Sequence, residues 1–557
     1  MPIRHIATWL GLAMGTAAMG QSLMRAPLDI EPRVSGTFAE LRANHFHSGL
    51  DLSTSGRTGL PVHAAEAGYV SRIKVSAFGY GKALYIDHPD GTTTVYAHLS
   101  AYAGAIADSV RAAQYARQSF EVEIFPKRGA LTVERGQIVA YSGNTGGSGG
   151  PHLHFEVRHT QSEVPRNPMA YLPPIADHVR PVAHGIKLYA LGADAAVGKS
   201  QRDVYMQLQP KADGYTTATP ATACGEVGFG IHATDYLVQG GSRCGLTSVK
   251  LWASDTLIFA ARLDSVPFDQ TRYINSYIDY AEWIASGRRV QKSFADPGNR
   301  LGIYTTLRTL RVEPGRHYDM RYELTDFAGH TTTVSFGLDG RAMTPAPAPR
   351  ANVRHSRPWH ADTLGLVVDM PAGALYADAR IGIGTGRRKS NGQTWFAIGT
   401  PSVPLHKAMR VALPVPDSLA HMGRRLFAAT IDSRGKAAYV GGRLDADGRL
   451  AFETKAMGTF VVSADTAAPR ISLRTPVAAP LSTQGTLSIR IDDDMSGIAT
   501  YACTIDGRWQ LFDYDYKTRL LTGRLADFGL AKGAHTLVVS ATDNCGNAAS
   551  ATYRFEL

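Results

Sequence analysis

Between Val34 and Leu172 polar and apolar residues alternate over short runs that are broken by glycines. Tyr69-Val70-Ser71-Arg72-Ile73-Lys74-Val75 and Lys82-Ala83-Leu84-Tyr85-Ile86-Asp87 have the short-period texture of half-buried strands. In His152-Leu153-His154-Phe155-Glu156-Val157 the alternation is strict. As a strand it presents His152, His154 and Glu156 on one face, with alternate positions about 7 Å apart, and turns Leu153, Phe155 and Val157 toward a core. A different texture lies between about Ala101 and Arg135. Asp108 to Ser119 predicts a helix there, with Asp108 as N-cap and Ala112, Ala113, Ala116 and Arg117 as helix formers. Residues 21–175 are therefore expected to form an antiparallel β-rich domain carrying an insertion at about 101–135.

After Pro173 the texture changes, and two later regions resemble each other. One contains Ile231-His232-Ala233-Thr234-Asp235, then Cys244-Gly245-Leu246, then Asp326-Phe327-Ala328-Gly329-His330. The other contains Ile489-Arg490-Ile491-Asp492-Asp493, then Ser496-Gly497-Ile498, then Asp543-Asn544-Cys545-Gly546-Asn547. This order is similar to that of bacterial immunoglobulin-like β-sandwich modules, expected here at 176–342 and 465–557. A Pro/Ala linker at 343–350 opens a further β-sandwich-type segment at 351–464. The expected fold class is mainly β, with about three sandwich modules after the first domain. The acidic corners of the two similar regions are read as structural turn residues ahead of a calcium site.

At 557 residues the chain is too long for one core, and its 56 glycines and 29 prolines suit many short strands joined by turns. Arg4, the mostly apolar run Ile6 to Met19 and the small-x-small triplet Ala18-Met19-Gly20 read as a signal peptide over residues 1–20. That run is shorter than the ~20 residues of a spanning helix, and no later segment is apolar enough to be one. Export to the periplasm, envelope or exterior is the expectation. An oxidising compartment would then allow disulfides Cys224–Cys244 and Cys503–Cys545; four free buried thiols are the alternative. The net charge of +10 suits anionic wall polymers or membrane surfaces. Without a basic run interleaved with aromatics, nucleic acid is not an expected partner.

Three fragments carry chemistry: Asn44-His45-Phe46-His47-Ser48-Gly49-Leu50-Asp51, Val95-Tyr96-Ala97-His98-Leu99, and Ser142-Gly143-Asn144 onward to Pro151-His152-Leu153-His154-Phe155-Glu156. In the third, one histidine could bind a metal while its neighbour reaches a substrate beside it. A zinc held by two neutral histidines and one carboxylate stays net positive, lowers the pKa of water and polarises a carbonyl. His45 and His88 read as hydrogen-bonded structural residues and Glu156 as a supporting one; Asn144, Thr145 and Ser148 read as shaping the turn before His152.

His47-x-x-x-Asp51, Tyr96-x-His98-Leu99 and the Gly-rich turn before Pro151-His152-x-His154-Phe-Glu together resemble the lysostaphin/LytM peptidases, the duplicated hybrid motif family. Gly68-x-Val70, Gly79-Tyr80-Gly81, Ile86-Asp87-His88 and Gly136-Gln137-x-Val139-Ala140 agree with it. The likeness spans about Gly36 to Arg158. It implies a β-barrel-like antiparallel metallopeptidase sheet with Zn2+ on His47, Asp51 and His154, and His98 and His152 as catalytic histidines that do not bind the metal. One would orient or deprotonate water; the other would stabilise the oxyanion or protonate the leaving amine. The implied activity is hydrolysis of peptide cross-links in bacterial peptidoglycan, at a D-Ala–meso-diaminopimelate or glycine-bridge bond. The alternative is a catalytically inactive regulator or wall-binding protein of the same type.

Overall fold

The computed structural model describes residues 23–345, 347 and 350–557; the signal-peptide reading falls outside these residues. The alternating runs become strands β1 (Val34–Gly36), β2 (Leu50–Ser53), β3 (Gly68–Val75), β4 (Lys82–Asp87), β5 (Thr92–Leu99), β6 (Val122–Ile124) and β7 (His152–His159). They form one sheet in the order β1-β2-β7-β5-β4-β3-β6. β7 runs antiparallel between β2 and β5, setting His154 opposite Asp51 on one side and Ala97 on the other. Leu153, Phe155 and Val157 point into the core with no exposed surface, as their period demands. Burying each such side chain contributes roughly 1.5–3 kcal/mol, which holds the register of the strand that carries the histidines. A smaller sheet of Pro61–His63, Ile138–Tyr141 and Ala101–Tyr102 joins the same core through Val62, Val139 and Tyr102.

The helix α1 runs over Gly104–Arg117, with Ala103 at its N-cap and no side-chain cap. Asp108 therefore lies inside it. The buried stripe Ile106, Val110 and Gln114 has four-residue spacing, so packing starts the helix ahead of the polar residue that looked like its cap.

Beyond the first domain the chain is β again, and across the structure strand far exceeds helix (46% against 8%). Strands between Val182 and Gly340 form one twelve-stranded sheet in which Ala221–Thr234 pairs with both Val182–Ala190 and Thr331–Gly340, so the sheet folds back on itself. Residues Trp359 to Ala464 form two five-stranded sheets around Val368, Phe396, Leu413 and Phe460. Residues Arg470 to Glu556 form two four-stranded sheets around Ile489, Cys503, Phe512 and Leu537.

The two expected disulfides are absent, and all four cysteines are free and buried. Cys503 lies in the core of the last module, whereas Cys545 packs outward against Phe427, Ala429 and Val461 of the preceding one. Cys244 sits in the core of the first domain beside Leu237, while Cys224 contacts the carbonyls of Asp194 and Met343. Each thiol thus belongs to a different packing environment from its supposed partner. Burial pushes the Cys244 and Cys503 thiols up to about 12, so they behave as apolar side chains.

Two modules contact the first domain. The twelve-stranded one donates Gly245 N–H to Thr37 Oγ1 (2.8 Å), accepts Phe46 N–H at Thr271 Oγ1 (2.9 Å), and sets Phe268 under the Arg158 guanidinium (4.5 Å). The last module stacks Tyr516 near Phe78 (4.6 Å) and Trp509 against Tyr115 of α1 (5.2 Å). It also pairs Asp527 with Arg111 (3.1 Å) and Asp513 with Lys82.

Candidate metal centre

Three donor atoms converge where β2 and β7 pair. His47 Nε2 lies 3.1 Å and His154 Nδ1 2.9 Å from Asp51 Oδ1, and the two nitrogens are 3.0 Å apart. His47 stands just before β2 on the turn of Gly49, where there is no room for a side chain. A Cβ on Gly49 would lie 2.8 Å from Glu156 Cγ and 3.0 Å from His154 Cε1. All three metal-donor side chains are nearly fully buried.

The surrounding hydrogen bonds settle which ring nitrogens carry protons. His47 donates Nδ1–H to the Thr37 carbonyl (2.8 Å). His154 donates Nε2–H to Glu156 Oε1 (2.8 Å). Their other nitrogens, in the neutral rings, turn lone pairs toward an ionised carboxylate oxygen. Three electron-rich atoms without a shared proton repel one another unless a cation lies between them. Donors about 2.0–2.1 Å from a tetrahedral zinc would stand about 3.3 Å apart, close to the 2.9–3.1 Å found. The donor set fits that metal.

The protein's own charges show the same demand. Burial lowers the His47 imidazole to about 4. Burial would also lower His154, but hydrogen bonds to Asp51 and Glu156 push it up to about 9. Burial opposes ionisation of Asp51, yet His47 and the neighbouring imidazoles of His152 and His154 hold its carboxyl far below the usual range. A positive charge at this point is what the cluster stabilises.

Side chains with no periodic signature complete the centre. Arg42 donates to Asp51 Oδ2 (2.6 Å), leaving Oδ1 to face the histidines, and Glu40 accepts from the same guanidinium (3.1 Å). Glu156 has no exposed surface. Its Oε1 accepts from His154, Tyr80 Oη (2.5 Å) and Ser48 Oγ (2.6 Å), and its Oε2 accepts from Arg158 Nε (2.6 Å). Glu156 therefore aligns the His154 ring rather than facing the ligand. Its alternation with His152 and His154 marked the shared face, whereas nothing in the sequence marked Arg42 or Arg158.

His98 and His152 lie beside the cluster, with ring centroids 4.8 Å apart. His98 donates Nδ1–H to the Thr145 carbonyl and His152 to the Gly150 carbonyl, both at 2.8 Å. One loop thus sets both tautomers and leaves both Nε2 atoms available. His152 Nε2 is buried without a hydrogen bond, 3.3 Å from Asp51 Oδ1. Burial, then His154 and His152, lowers His98 to about 3, which keeps it neutral. His98 has a left-handed backbone (φ 60°), a strain of order 1–3 kcal/mol of the kind that gathers at working residues. Thr145 anchors the loop by donating to the Leu99 carbonyl (2.8 Å) and accepting Lys82 N–H (3.0 Å). From the last module, Lys517 Nζ donates to the carbonyls of Ser148 (3.2 Å) and Asn144.

Neither His45 nor His88, the two histidines read as structural, reaches the cluster. His45 is exposed and bonded to the Ala43 carbonyl; His88 is tied to the Ala67 carbonyl and Thr94 Oγ1.

Comparison with known proteins agrees with this geometry. The family model "Peptidase family M23" matches residues 45–116 and 125–168, and the "Zu5-like domain" model matches 352–465. An uncharacterized metalloprotease of Haemophilus influenzae is 34% identical over 144 residues, 25% of this chain and 25% of that protein. The DD-carboxypeptidase/endopeptidase Mpg of Neisseria meningitidis is 32% identical over 139 residues, 23% of this chain and 26% of that one. A zinc-containing peptidase from Vibrio cholerae is similar in structure at 28% identity over 27% of this chain and 41% of that one, with a TM-score of 0.21. The chain thus spans about a quarter of the length of the curated relatives it matches. The sheet that carries the five side chains is thus the part of the chain that matches peptidase family M23, at residues 45–116 and 125–168.

Proposed function

We propose that the protein is a zinc-dependent endopeptidase that hydrolyses peptide cross-links of bacterial peptidoglycan outside the cytoplasm. The observation that carries this reading is the pair of lone pairs on His47 Nε2 and His154 Nδ1 facing Asp51 Oδ1, with the His152 Nε2 left unpartnered beside them. When bound, zinc would supply a Lewis acid that polarises a peptide carbonyl and makes water a nucleophile near neutral pH.

The remaining chemistry belongs to the chain. His47, Asp51 and His154 hold the metal, while Arg42 keeps one oxygen of Asp51 turned away. His98 and His152, tied through Nδ1, accept a proton or donate one at Nε2, one on the water side and the other on the oxyanion or leaving-amine side. A relative of the M23 domain is named as a DD-carboxypeptidase/endopeptidase, which supports a wall-peptide substrate. An inactive regulator would have no use for two histidines held in a defined tautomer around a metal site.

Zinc analysis with digestion of purified sacculi tests the reading. Wild type is expected to hold one zinc and release cross-link fragments, and His152→Ala to keep zinc and lose cleavage. A zinc-loaded wild type that cuts no muropeptide overturns it.

A further inference from the structure

Three of the four phenylalanines exposed among the described residues border one groove on the sheet of the first domain. They are Phe78, Phe125 and Phe268, at 59%, 68% and 40% exposure. The floor of the groove continues the face of β7 that carries the histidines, two positions beyond Glu156. There Arg158 lies beside Tyr85 of β4, which pairs with Arg72 of β3. The Arg158 guanidinium stands 5.4 Å and that of Arg72 4.8 Å from the centre of the Tyr85 ring. Phe268, from the twelve-stranded module, covers Arg158 (4.5 Å), and Phe125 covers Arg72 (5.7 Å). Five flat groups thus stand in a row across the sheet, with an exposed ring at each end.

The groove begins at the metal centre. Tyr80 forms part of its wall, and the Tyr80 ring stacks on His154 with centroids 5.3 Å apart. Arg158 lies four residues along β7 from His154, about 14 Å at strand spacing. On the near side Phe78 packs against Tyr516 of the last module (4.6 Å). The far wall is polar, with Ser71, Thr93 and Thr160.

The lining selects among ligands. An anionic ligand needs cations to meet it, but both guanidiniums are already met. Arg72 Nε donates to Glu123 (2.7 Å) and Arg158 Nε to Glu156 (2.6 Å). What the groove offers instead is aromatic surface held in water, and exposed rings gathered in one place mark a binding surface. A pyranose ring suits both walls: its C–H faces lie flat on aromatic rings, and its hydroxyl edges take hydrogen bonds from the polar side. Distance agrees. Wall cross-links hang from their glycan strands on short peptide stems, and four extended residues span at most about 14 Å. A sugar over the row at Arg158 therefore leaves its peptide able to reach the metal donors.

We propose that this groove binds the glycan strand of peptidoglycan, with pyranose rings on Phe125 and Phe268, while the attached peptide enters the histidine centre. The argument from reach rests on the peptidase reading; the row of rings stands apart from it.

The test is titration calorimetry of the full chain with peptide-free strands of alternating N-acetylglucosamine and N-acetylmuramic acid, which offer no bond to cut. Wild type is expected to bind them. Phe125→Ala and Phe268→Ala are expected to weaken binding at least tenfold, and Phe125→Trp to retain it. Leu307→Ala, at another exposed apolar position, is expected to change nothing. Kinetics give a second readout. Phe125→Ala should raise KM for glycan-linked cross-links at least tenfold and leave kcat/KM for glycan-free cross-linked peptides as in wild type, which also shows the domain folded. Absence of glycan binding, binding that neither alanine weakens, displacement of the glycan by free stem peptide, or an equal loss on both substrates would each overturn the proposal. Glycan binding that both alanines weaken, in a protein that cuts no cross-link, would uphold the groove and overturn the peptidase reading.

Discussion

His47 Nε2 and His154 Nδ1 face each other at 3.0 Å, and each ring has its proton on the opposite nitrogen, held by the Thr37 carbonyl and Glu156 respectively. Removing either ring, or neutralising Asp51 as Asn, is expected to abolish stoichiometric zinc while the sheet still folds. Metal analysis beside circular dichroism checks this, and full zinc in His47→Ala would contradict it.

His152→Ala should behave differently, because its Nε2 lies beside the donor triangle rather than in it. Zinc content stays the same and turnover falls by about 10²- to 10⁴-fold, the range for a lost acid–base group. Single-turnover cleavage of a defined muropeptide measures it.

Glu156 accepts three hydrogen bonds on a single oxygen. An amide cannot replace that arrangement without presenting an N–H to one donor or losing a partner. Glu156→Gln is therefore expected to weaken zinc about 10- to 100-fold, measured by competition with a chelator. Unchanged affinity would show that the ring of His154 needs no such support.

Gly49→Ala tests packing rather than charge. The added methyl would press on Glu156 Cγ and His154 Cε1, so stability is expected to fall by about 1–3 kcal/mol with zinc weakened as well. Denaturant titration with and without zinc reads both effects.

All four cysteines being free, the protein should unfold at the same temperature with and without a thiol reductant. Four thiols should titrate in denaturant and almost none in buffer. Two or more missing thiols after denaturation would restore the disulfides.

What was legible in the sequence was periodic or local. The alternation at 152–157 placed three polar side chains on one face, and β7 shows that face. The choice of His47 over His45 came from family likeness, since both belong to one His-x-His and only folding shows which reaches Asp51. Helix α1 was found, but its start was misread, because a polar Asp108 resembles a cap and the packing of Ile106 is invisible locally. Arg42 and Arg158 were missed because an ion pair depends on partners that only a folded sheet brings close. The disulfides were inferred from compartment and sequence neighbourhood, and neither says which core a cysteine enters. The contacts of the last module with the histidine loop join residues hundreds of positions apart, beyond any reading of period or spacing.

Lys517 reaches the carbonyls of Asn144 and Ser148 from the far end of the chain, and the loop it braces sets the tautomers of His98 and His152. Synthesis runs from the N-terminus, so the strands bearing the metal donors can assemble well before this lysine has left the ribosome. The cutting edge is then sharpened last: a chain stopped at Ala464 would take up metal yet turn over more slowly, and Lys517→Ala in the finished protein would reproduce that lag in part. Such a brace would make turnover depend on the last module having folded against the histidine loop, a dependence written into the architecture instead of a separate inhibitor.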